Sequence, residues 1–301
     1  MKSERRSFIK KLGMFAGLAA LPNVGRSEKT ADGKWFDISL AQWSVRKSIW
    51  AKTYSNLDFP ERASKDYGIN AVEYVTGFFE SADPKYINKL KGRAADNGVR
   101  NLLIMVDGEG GLANTNGGER KKAVENHYKW IDAAKTLGCH SIRVNAYGKG
   151  SAEDVGSAAV DGLSSLSEYA SQAGINVIVE NHGGYSSNGE WLAGVMQKVN
   201  RRNVGTLPDF GNFRIGGGQT YDRYKGVAEL MPYAKGVSAK SYDFDSLGRE
   251  TKMDYYRLMK IVKDAGYRGH VGIEYEGKRL GEKEGILATK WLLEQCRGLL
   301  M

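Results

Sequence analysis

Short apolar runs alternate along the chain with longer segments whose apolar residues recur every three to four positions. The runs are rich in β-branched residues and predict strands, whereas the longer segments predict helices with one apolar face. The predicted strands are 36–45, 69–75, 99–106, 139–145, 175–180, 204–209, 236–240 and 271–275. The predicted helices cover about 57–67, 84–97, 119–137, 152–173, 189–200, 221–233, 253–265 and 282–299.

This strict alternation of eight strand–helix units predicts a parallel α/β sheet closed on itself. The expected fold is a single-domain (β/α)8 TIM barrel over residues 36–301. The strands are almost continuously apolar, which is typical of parallel strands covered by helices. A doubly wound open sheet is the alternative, but it usually has fewer units, and no Gly-rich phosphate loop follows the first strand here.

Composition fits one such barrel. The 301 residues are 41% hydrophobic and 26% charged, which excludes disordered, collagen-like and membrane-bundle classes. The net charge of +9 raises the question of a nucleic-acid partner. Residues 1–30 hold seven basic and two acidic residues, and so account for five of the nine excess positive charges. The remaining charges are interspersed, and we expect no nucleic-acid partner.

The first 30 residues predict an export signal. Residues 4–11 resemble the twin-arginine motif around Arg5 and Arg6, and a mildly apolar stretch at 12–21 follows. That stretch is too short and too rich in Gly to span a bilayer, and the rest of the chain predicts no stable membrane span. The expected location is the periplasm or another exported compartment. A basic amphipathic helix of the mature fold is the alternative, and a retained anchor is a variant of the signal.

Acidic residues at the ends of predicted strands are the candidate chemical groups. Glu73, Glu180, Asp209 and Glu274 each occupy such a position. The active sites of these barrels form at the carboxyl-terminal ends of the strands, so the four carboxylates should converge there. A buried carboxylate requires a partner, which for any single residue could be a structural ion pair. Several on one rim indicate a cation site or an acid/base pair.

His182 is the one histidine that follows the end of a predicted strand. It lies two residues after Glu180, so both side chains point to the same side of an extended chain. We therefore expect His182 to be an acid/base group, a metal ligand or a substrate contact. The alternative is a histidine that binds the loop backbone.

Four short motifs carry a family resemblance: Glu180-Asn181-His182-Gly183-Gly184, Pro208-Asp209-Phe210-Gly211-Asn212, Ala239-Lys240-Ser241-Tyr242 and Ile273-Glu274-Tyr275-Glu276-Gly277. Their order and spacing over residues 36–299 resemble the xylose-isomerase-like sugar isomerase/epimerase superfamily. That superfamily includes ketose epimerases, inosose dehydratases and, more remotely, apurinic endonucleases. The modest charge and the missing histidine cluster disfavour the endonuclease activity.

The resemblance implies a divalent metal on Glu180, Asp209 and Glu274. Two imidazoles that the family usually supplies are absent, because Ser238 and Asn212 stand at their positions. The remaining donors are oxygens, which favours Mg²⁺ or Mn²⁺, and His182 could restore a nitrogen ligand.

The resemblance also implies proton removal beside a carbonyl, through an enediolate. Glu180 and Glu274 would act as base and acid, and Lys240 would stabilise the oxyanion. Export makes a non-phosphorylated sugar or keto-sugar the expected substrate. The sequence leaves the oligomeric state open, and an oligomer is compatible with it. A lyase that eliminates a β-substituent and a non-catalytic carbohydrate-binding barrel are the alternatives. The candidate substrate contacts are Glu73, Asn145, Asn212, Arg143, Trp43 and Tyr242.

Overall fold

The computed structural model describes residues 34–300, so the predicted export signal lies outside the described residues. Its strands are β1 Asp37–Ala41, β2 Ala71–Val75, β3 Arg100–Met105, β4 Ser141–Val144, β5 Asn176–Glu180, β6 Val204–Leu207, β7 Arg214–Gly216, β8 Gln219–Thr220, β9 Val237–Ser241 and β10 His270–Tyr275. Its α-helices are α1 Arg46–Trp50, α2 Phe59–Tyr67, α3 Pro84–Asp96, α4 Gly117–Leu137, α5 Ala152–Ala173, α6 Gly189–Val199, α7 Arg223–Leu230, α8 Tyr255–Asp264 and α9 Glu282–Leu299.

Eight of the described strands form one parallel sheet in the order β6-β5-β4-β3-β2-β1-β10-β9. The two outermost strands, β6 and β9, are joined by parallel bridges, one of which pairs Asp209 with Ser238. The Phe210 N–H donates to the Ser238 carbonyl at 3.1 Å, and the Ser238 N–H donates to the Pro208 carbonyl at 2.9 Å. These bonds close the sheet, and the predicted (β/α)8 barrel is confirmed.

The first strand is shorter than predicted. β1 ends at Ala41, and residues Gln42–Val45 form a 3-10 turn that leads into α1. Two buried polar side chains explain the turn. Gln42 accepts a bond from the Val75 N–H at 3.0 Å, and the Ser44 hydroxyl donates to the Ile273 carbonyl at 3.0 Å. The side chains thus bind the neighbouring strands where backbone ladder bonds would otherwise continue.

Side-chain caps define several of the helices. Asn116 accepts a bond from the Glu119 N–H at the start of α4, and Ser151 accepts one from the Asp154 N–H at the start of α5. Gly138 ends α4 with a φ of 81°, a left-handed conformation that glycine adopts without steric cost. No helix in the described part of the chain combines the length and apolarity needed to cross a membrane.

Apolar side chains pack in two regions. The larger lies between the strands and the surrounding helices and includes both cysteines, which are buried and unpaired. The smaller is a separate cluster formed by alternate strand residues that point into the barrel: Ala41, Val75, Leu103, Met105, Ile178 and Leu207. This second cluster fills only part of the interior, and charged residues occupy the rest.

Candidate active site

Three carboxylates meet at the carboxyl-terminal end of the barrel. Glu180 is the last residue of β5, Asp209 follows β6 by two residues, and Glu274 is the penultimate residue of β10. One carboxylate oxygen from each lies within 4.8 Å of the others, and all three side chains are buried. The sequence-based expectation that these residues converge agrees with this geometry. We call the three residues the acidic triad.

Asp209 is held by backbone and hydroxyl donors. The N–H groups of Gly211 and Asn212 each donate to its Oδ1 at 2.7 Å. The hydroxyl of Ser238 lies 2.8 Å from Asp209 Oδ2 and 2.9 Å from Glu274 Oε2. Because a hydroxyl carries one proton, Ser238 donates to one of these two carboxylates at a time. The residue at the family's usual histidine position therefore links two members of the triad.

Lys240 places a positive charge against the triad. Its Nζ lies 3.0 Å from Glu274, 3.6 Å from Asp209 and 3.3 Å from Glu276. Burial acts to lower the pKa of Lys240, but the surrounding carboxylates outweigh burial and raise it well above its ordinary value. Lys240 is therefore a permanent cation in the free protein.

A second cation, Arg143 on β4, faces the triad from the opposite side. Its guanidinium nitrogens lie 2.8 Å from Glu180 Oε2 and 2.8 Å from Asp107 Oδ1. The Arg143 Nε and Glu180 Oε2 are close enough for an ion pair but lack hydrogen-bond geometry, so neither atom has a hydrogen-bond partner among the described residues. Asn212 donates to the other Glu180 oxygen at 2.9 Å. Glu180 Oε2 thus accepts no hydrogen bond, although it is ion-paired with Arg143.

Burial and neighbouring charges shift the pKa values of the three triad acids in different directions. Burial raises the pKa of Glu180 and of Asp209 to about 7, although Arg143 and Lys240 act in the opposite direction. Burial also acts to raise the pKa of Glu274, but the charge and hydrogen bonds of Lys240 outweigh it and leave that pKa below its ordinary value. The protein without a ligand therefore holds carboxylates that are poorly compensated, and a further cation would stabilise them.

The donor set of the triad fits a metal ion. Among residues 34–300, these three carboxylates are the group of ligating side chains close enough together to hold a metal ion, and the group contains no histidine. The Ser238 hydroxyl adds one more oxygen beside these carboxylates. A set of ligands made only of oxygens suits hard divalent cations. The ammonium of Lys240 already shares two of the carboxylates, so an ion would compete with it or displace it.

His182 lies beside the site rather than in the triad. Its Nδ1 is 2.6 Å from the hydroxyl of Tyr147, which follows β4. Burial and the nearby charges of Arg143 and Lys240 lower the pKa of His182, so the ring is neutral at pH 7. A neutral ring paired with a phenol can exchange protons at the mouth of the barrel.

Four other predicted contacts also lie at this end of the barrel. Asn145 donates to Asp107 Oδ1 at 2.7 Å, and Asn212 joins Glu180 to Lys240, whose Nζ is 3.3 Å from the amide oxygen. Trp43 donates its indole N–H to Glu276 at 2.7 Å. Tyr242 is half-buried, and its hydroxyl lies so close to Gly211 that a Cβ there would be 2.6 Å away.

Glu73 is the exception among the predicted contacts. It lies in the middle of β2, below the triad, and accepts a bond from the Ser39 hydroxyl at 2.6 Å. Its carboxylate occupies the space beside Gly272, where a Cβ would come within 2.5 Å of it. Burial raises the pKa of Glu73 to about 7, and its Oε2 has no partner within the described region. Strand periodicity alone did not distinguish this depth from the rim.

Two acidic residues of the site were not predicted from the sequence. Asp107 follows β3 by two residues and binds Arg143 and Asn145. Glu276 lies two residues after Glu274 and contacts Lys240 and Trp43. The signals that could have identified them were used elsewhere in the chain. Asp107 is an acid just past the end of a strand, and Glu276 lies two residues after Glu274, so both of these side chains point to the same side of an extended chain.

Fold and site together define a class: a (β/α)8 barrel whose carboxyl-terminal end holds a buried acidic triad flanked by a lysine and an arginine. The chain belongs to the xylose isomerase-like TIM barrel family, which it matches over residues 62–295.

Solved structures share this fold. The IolI protein with a bound zinc atom superposes with a TM-score of 0.69 at 17% identity, covering 88% of this chain and 99% of that chain. The apo form of 3-keto-D-glucoside 4-epimerase YcjR from E. coli gives 0.67 at 12% identity, covering 87% and 100%. A xylose isomerase-like protein from Mycobacterium smegmatis in complex with magnesium gives 0.65 at 15% identity, covering 88% and 98%.

One curated relative matches in sequence over a short stretch. The alpha subunit of a C-glycoside deglycosidase from Arthrobacter globiformis is 38% identical over 65 residues, which is 21% of this chain. The match covers 18% of that subunit, less than a fifth of its length.

Proposed function

We propose that this protein is a sugar isomerase or epimerase that removes a proton beside a carbonyl and returns it through an enediolate. The observation that carries the proposal is the convergence of Glu180, Asp209 and Glu274 within 4.8 Å, beside the buried ammonium of Lys240. Proton transfer at carbon requires a carboxylate near the acidic hydrogen and positive charge near the carbonyl oxygen. This arrangement supplies both groups.

Glu180 and Glu274 are the proposed base and acid. They end β5 and β10, which are separated by other strands around the barrel, so they approach a ligand from different sides. A substrate carbon between them can lose a proton to one carboxylate and receive a proton from the other. Asp209, fixed by two backbone N–H groups and Ser238, acts as a rigid anchor rather than as a proton carrier.

Lys240 is the proposed partner of the enediolate oxygen. Its Nζ is shared among Glu274, Asp209 and Glu276, so it can turn toward a new anion without losing all its partners. Glu180, Asp209 and Glu274 would hold a divalent metal, with Mg²⁺ or Mn²⁺ favoured by the oxygen donors. Such an ion, when bound, supplies Lewis-acid stabilisation of the same oxygen.

A non-phosphorylated sugar or keto-sugar is the proposed substrate class. Five carboxylates, those of the triad with Asp107 and Glu276, surround two cations, Arg143 and Lys240. This excess of negative charge disfavours a phosphate group. The predicted export signal, which favours substrates found outside the cytoplasm, supports the same class.

β-Elimination from a keto-sugar or keto-glycoside is a second candidate. The observation that favours it is the Tyr147–His182 pair, whose 2.6 Å contact provides a proton relay beside the site. Such a relay could protonate a departing oxygen after Glu180 or Glu274 has removed the proton. The short match to a C-glycoside deglycosidase subunit is consistent with this outcome.

Deuterium exchange tests the proposal. The protein is incubated in D₂O with Mn²⁺ and a series of keto-sugars, and exchange beside the carbonyl is followed by NMR. We expect exchange in the wild type and a loss of about 10²–10⁴-fold in Glu180→Gln and in Glu274→Gln. Glu168→Gln, in a surface ion pair on α5, is the matched control and should exchange normally.

The products distinguish the candidate reactions. Exchange with an inverted centre or a moved carbonyl supports the isomerase or epimerase, and loss of a substituent selects the elimination. Tight sugar binding by the wild type, without exchange in any keto-sugar, would contradict both reactions and support the carbohydrate-binding alternative.

A further inference from the structure

We propose that the mouth of the barrel contains a second subsite, which binds an apolar, ring-sized aglycone of a glycoside. The subsite is formed by Trp43, Trp50 and Phe78, which we call the aromatic wall. The inference rests on the proposed function, because the sugar ring of the same molecule would occupy the acidic triad.

The three rings of the aromatic wall face one another in different planes. Trp43 and Trp50 meet edge to face, with ring centroids 5.5 Å apart and an interplanar angle of 89°. Trp43 and Phe78 are nearly parallel at 6.1 Å and 25°, and Trp50 and Phe78 lie 6.3 Å apart at 67°. Trp50 is the most exposed of the three rings, so a fourth ring can stack on it or meet it edge to face, and aromatic pairs favour both arrangements.

The aromatic wall stands at the same end of the barrel as the triad. Trp43 lies in the turn after β1, Trp50 is the last residue of α1, and Phe78 lies in the turn after β2. Trp43 and Phe78 pack on the apolar cluster inside the barrel, which fixes their position. Trp50 is 60% exposed although it is a large apolar side chain, so much of the wall faces solvent.

A chain of polar contacts joins the aromatic wall to the triad. The indole N–H of Trp43 donates to Glu276 Oε1 at 2.7 Å. That oxygen lies 3.3 Å from the Nζ of Lys240, which is 3.0 Å from Glu274. The reacting centre and the wall are thus separated by two side chains, so one molecule of a sugar and one attached ring can span both.

The orientation of Trp43 is fixed independently of any ligand. The guanidinium of Arg46 donates to the Trp43 carbonyl at 3.0 Å and to the Tyr275 carbonyl at 3.1 Å. The same guanidinium lies 5.2 Å from the centroid of the Trp43 ring. The wall is therefore largely ordered before binding, which reduces the entropy lost on association.

The surface chemistry of the aromatic wall favours an apolar ring over a second sugar. Of the two indole N–H groups on the aromatic wall, that of Trp43 already donates to Glu276, which leaves the indole N–H of Trp50 to bind a sugar hydroxyl. A second sugar would lose hydrogen bonds to water without full replacement. An apolar ring loses none, and it removes the exposed carbon surface of Trp50 from water.

Matched glycosides test the inference on the full chain. Affinities for the phenyl and methyl β-glycosides of glucose, galactose and xylose are measured by calorimetry, with cellobiose as the disaccharide probe. We expect phenyl glycosides to bind at least tenfold more tightly than the methyl glycoside of the same sugar. Trp50→Ala and Phe78→Ala should each reduce that preference to threefold or less and leave methyl glycoside affinity unchanged.

Trp291→Ala is the matched control, because Trp291 is an exposed tryptophan on the outer helix α9. It should retain the full preference for the phenyl group. Equal affinity for phenyl and methyl glycosides across the series would overturn the inference, as would equally tight binding of cellobiose. A change of oligomeric state in Trp50→Ala would assign the wall to a contact between copies of the chain and would also overturn it.

Binding and exchange fail independently. A phenyl preference without deuterium exchange in any keto-sugar refutes the proposed chemistry and leaves the subsite. Exchange without a phenyl preference refutes the subsite and leaves the chemistry.

Discussion

The two sides of the barrel mouth are built from the same strand pattern but from opposite kinds of residue. On β1, β2 and β3 the last inward-facing side chains are Ala41, Val75 and Met105, which pack together. The ends of the other five barrel strands hold Arg143, Glu180, Asp209, Lys240 and Glu274. We call these the apolar side and the charged side. The division is not complete, because Leu207 of β6 packs with the apolar residues and Asp107, just after β3, pairs with Arg143.

The difference separates stability from function. Burial of the side chains on the apolar side stabilises the folded state, because apolar surface leaves water. Those of the charged side lose hydration on burial and are compensated only by one another, so the removal of any member leaves its partners uncompensated. The charged side therefore depends on a complete set of residues, whereas the apolar side depends on volume.

Replacing Lys240 should produce the largest effect. Lys240→Met removes the cation shared by Asp209, Glu274 and Glu276, and a buried ion pair broken on one side costs about 3–5 kcal/mol. We expect that loss of unfolding free energy by chemical denaturation, together with loss of activity. Millimolar Mn²⁺ should restore part of the stability by occupying the freed carboxylates. A variant with wild-type stability would contradict the proposed role of Lys240.

Truncation on the apolar side should cost less and behave differently. Met105→Ala leaves a cavity inside the barrel, and such changes cost about 3 kcal/mol. Because no charge is involved, the loss should not depend on pH or on added divalent ions. Denaturation at pH 5.5 and 8, with and without Mn²⁺, checks this. Rescue of Met105→Ala by Mn²⁺ would show that the two sides are not independent.

Glu73 is an acid in the lower layer of the apolar side. Its contribution to the free energy of unfolding should depend on pH. Its pKa is about 7 in the fold against an ordinary 4.5, because burial disfavours the charged form. The folded state therefore holds a proton that the unfolded state releases as pH rises from about 4.5 to 7, so stability falls over this window and is not recovered above it. Glu73→Gln should have nearly the same unfolding free energy as the wild type at pH 4.5. At pH 8 the variant should be the more stable protein, by at most about 3 kcal/mol.

Thermal unfolding of Glu73→Gln and the wild type across this pH range provides the measurement. The comparison of the two proteins cancels the contributions of other buried acids, which both share. A stability difference that does not change with pH would show that the pKa of Glu73 is the same in the folded and unfolded states, and so that burial does not raise it.

Removal of the Tyr147 hydroxyl should have the smallest effect. Tyr147→Phe deletes the 2.6 Å contact to His182 and leaves the triad intact. We expect about a tenfold loss in the rate of any elimination and little change in deuterium exchange. His182→Ala should match it if the two residues act as one relay. A further loss of bound metal in His182→Ala would instead identify His182 as a ligand.

Much of the fold was predictable because regular elements follow simple periodicities. The barrel strands and most helices agree with the predicted ranges within a few residues, and the barrel class is confirmed. The errors arose where buried polar side chains replace backbone pairing, as at Gln42 and Ser44. The hairpin β7–β8 was also missed, because its short exposed strands flank three consecutive glycines and carry no apolar pattern.

The acidic triad was predictable from the sequence, whereas Asp107, Glu276 and the contacts within the site were not. Strand-end position identified the triad, because strand direction determines where such side chains meet. Glu73 was expected at the rim for the same reason, although it lies lower in β2. A single acid in an apolar run does not reveal how far the strand extends beyond it. The sharing of Lys240 among three carboxylates and the pairing of Tyr147 with His182 depend on side-chain conformations, which no linear pattern encodes.

The closure of the barrel between β6 and β9 gives the triad a mechanical role as well as a chemical one. Asp209 and Ser238 form the bridge there. The hydroxyl of Ser238 also links the carboxylates of Asp209 and Glu274. The seam of the barrel and the candidate active site thus share Asp209 and Ser238. A ligand bound to the triad would add a further link across that seam. Hydrogen exchange at the N–H groups of Phe210 and Ser238 would then report occupancy of the site directly.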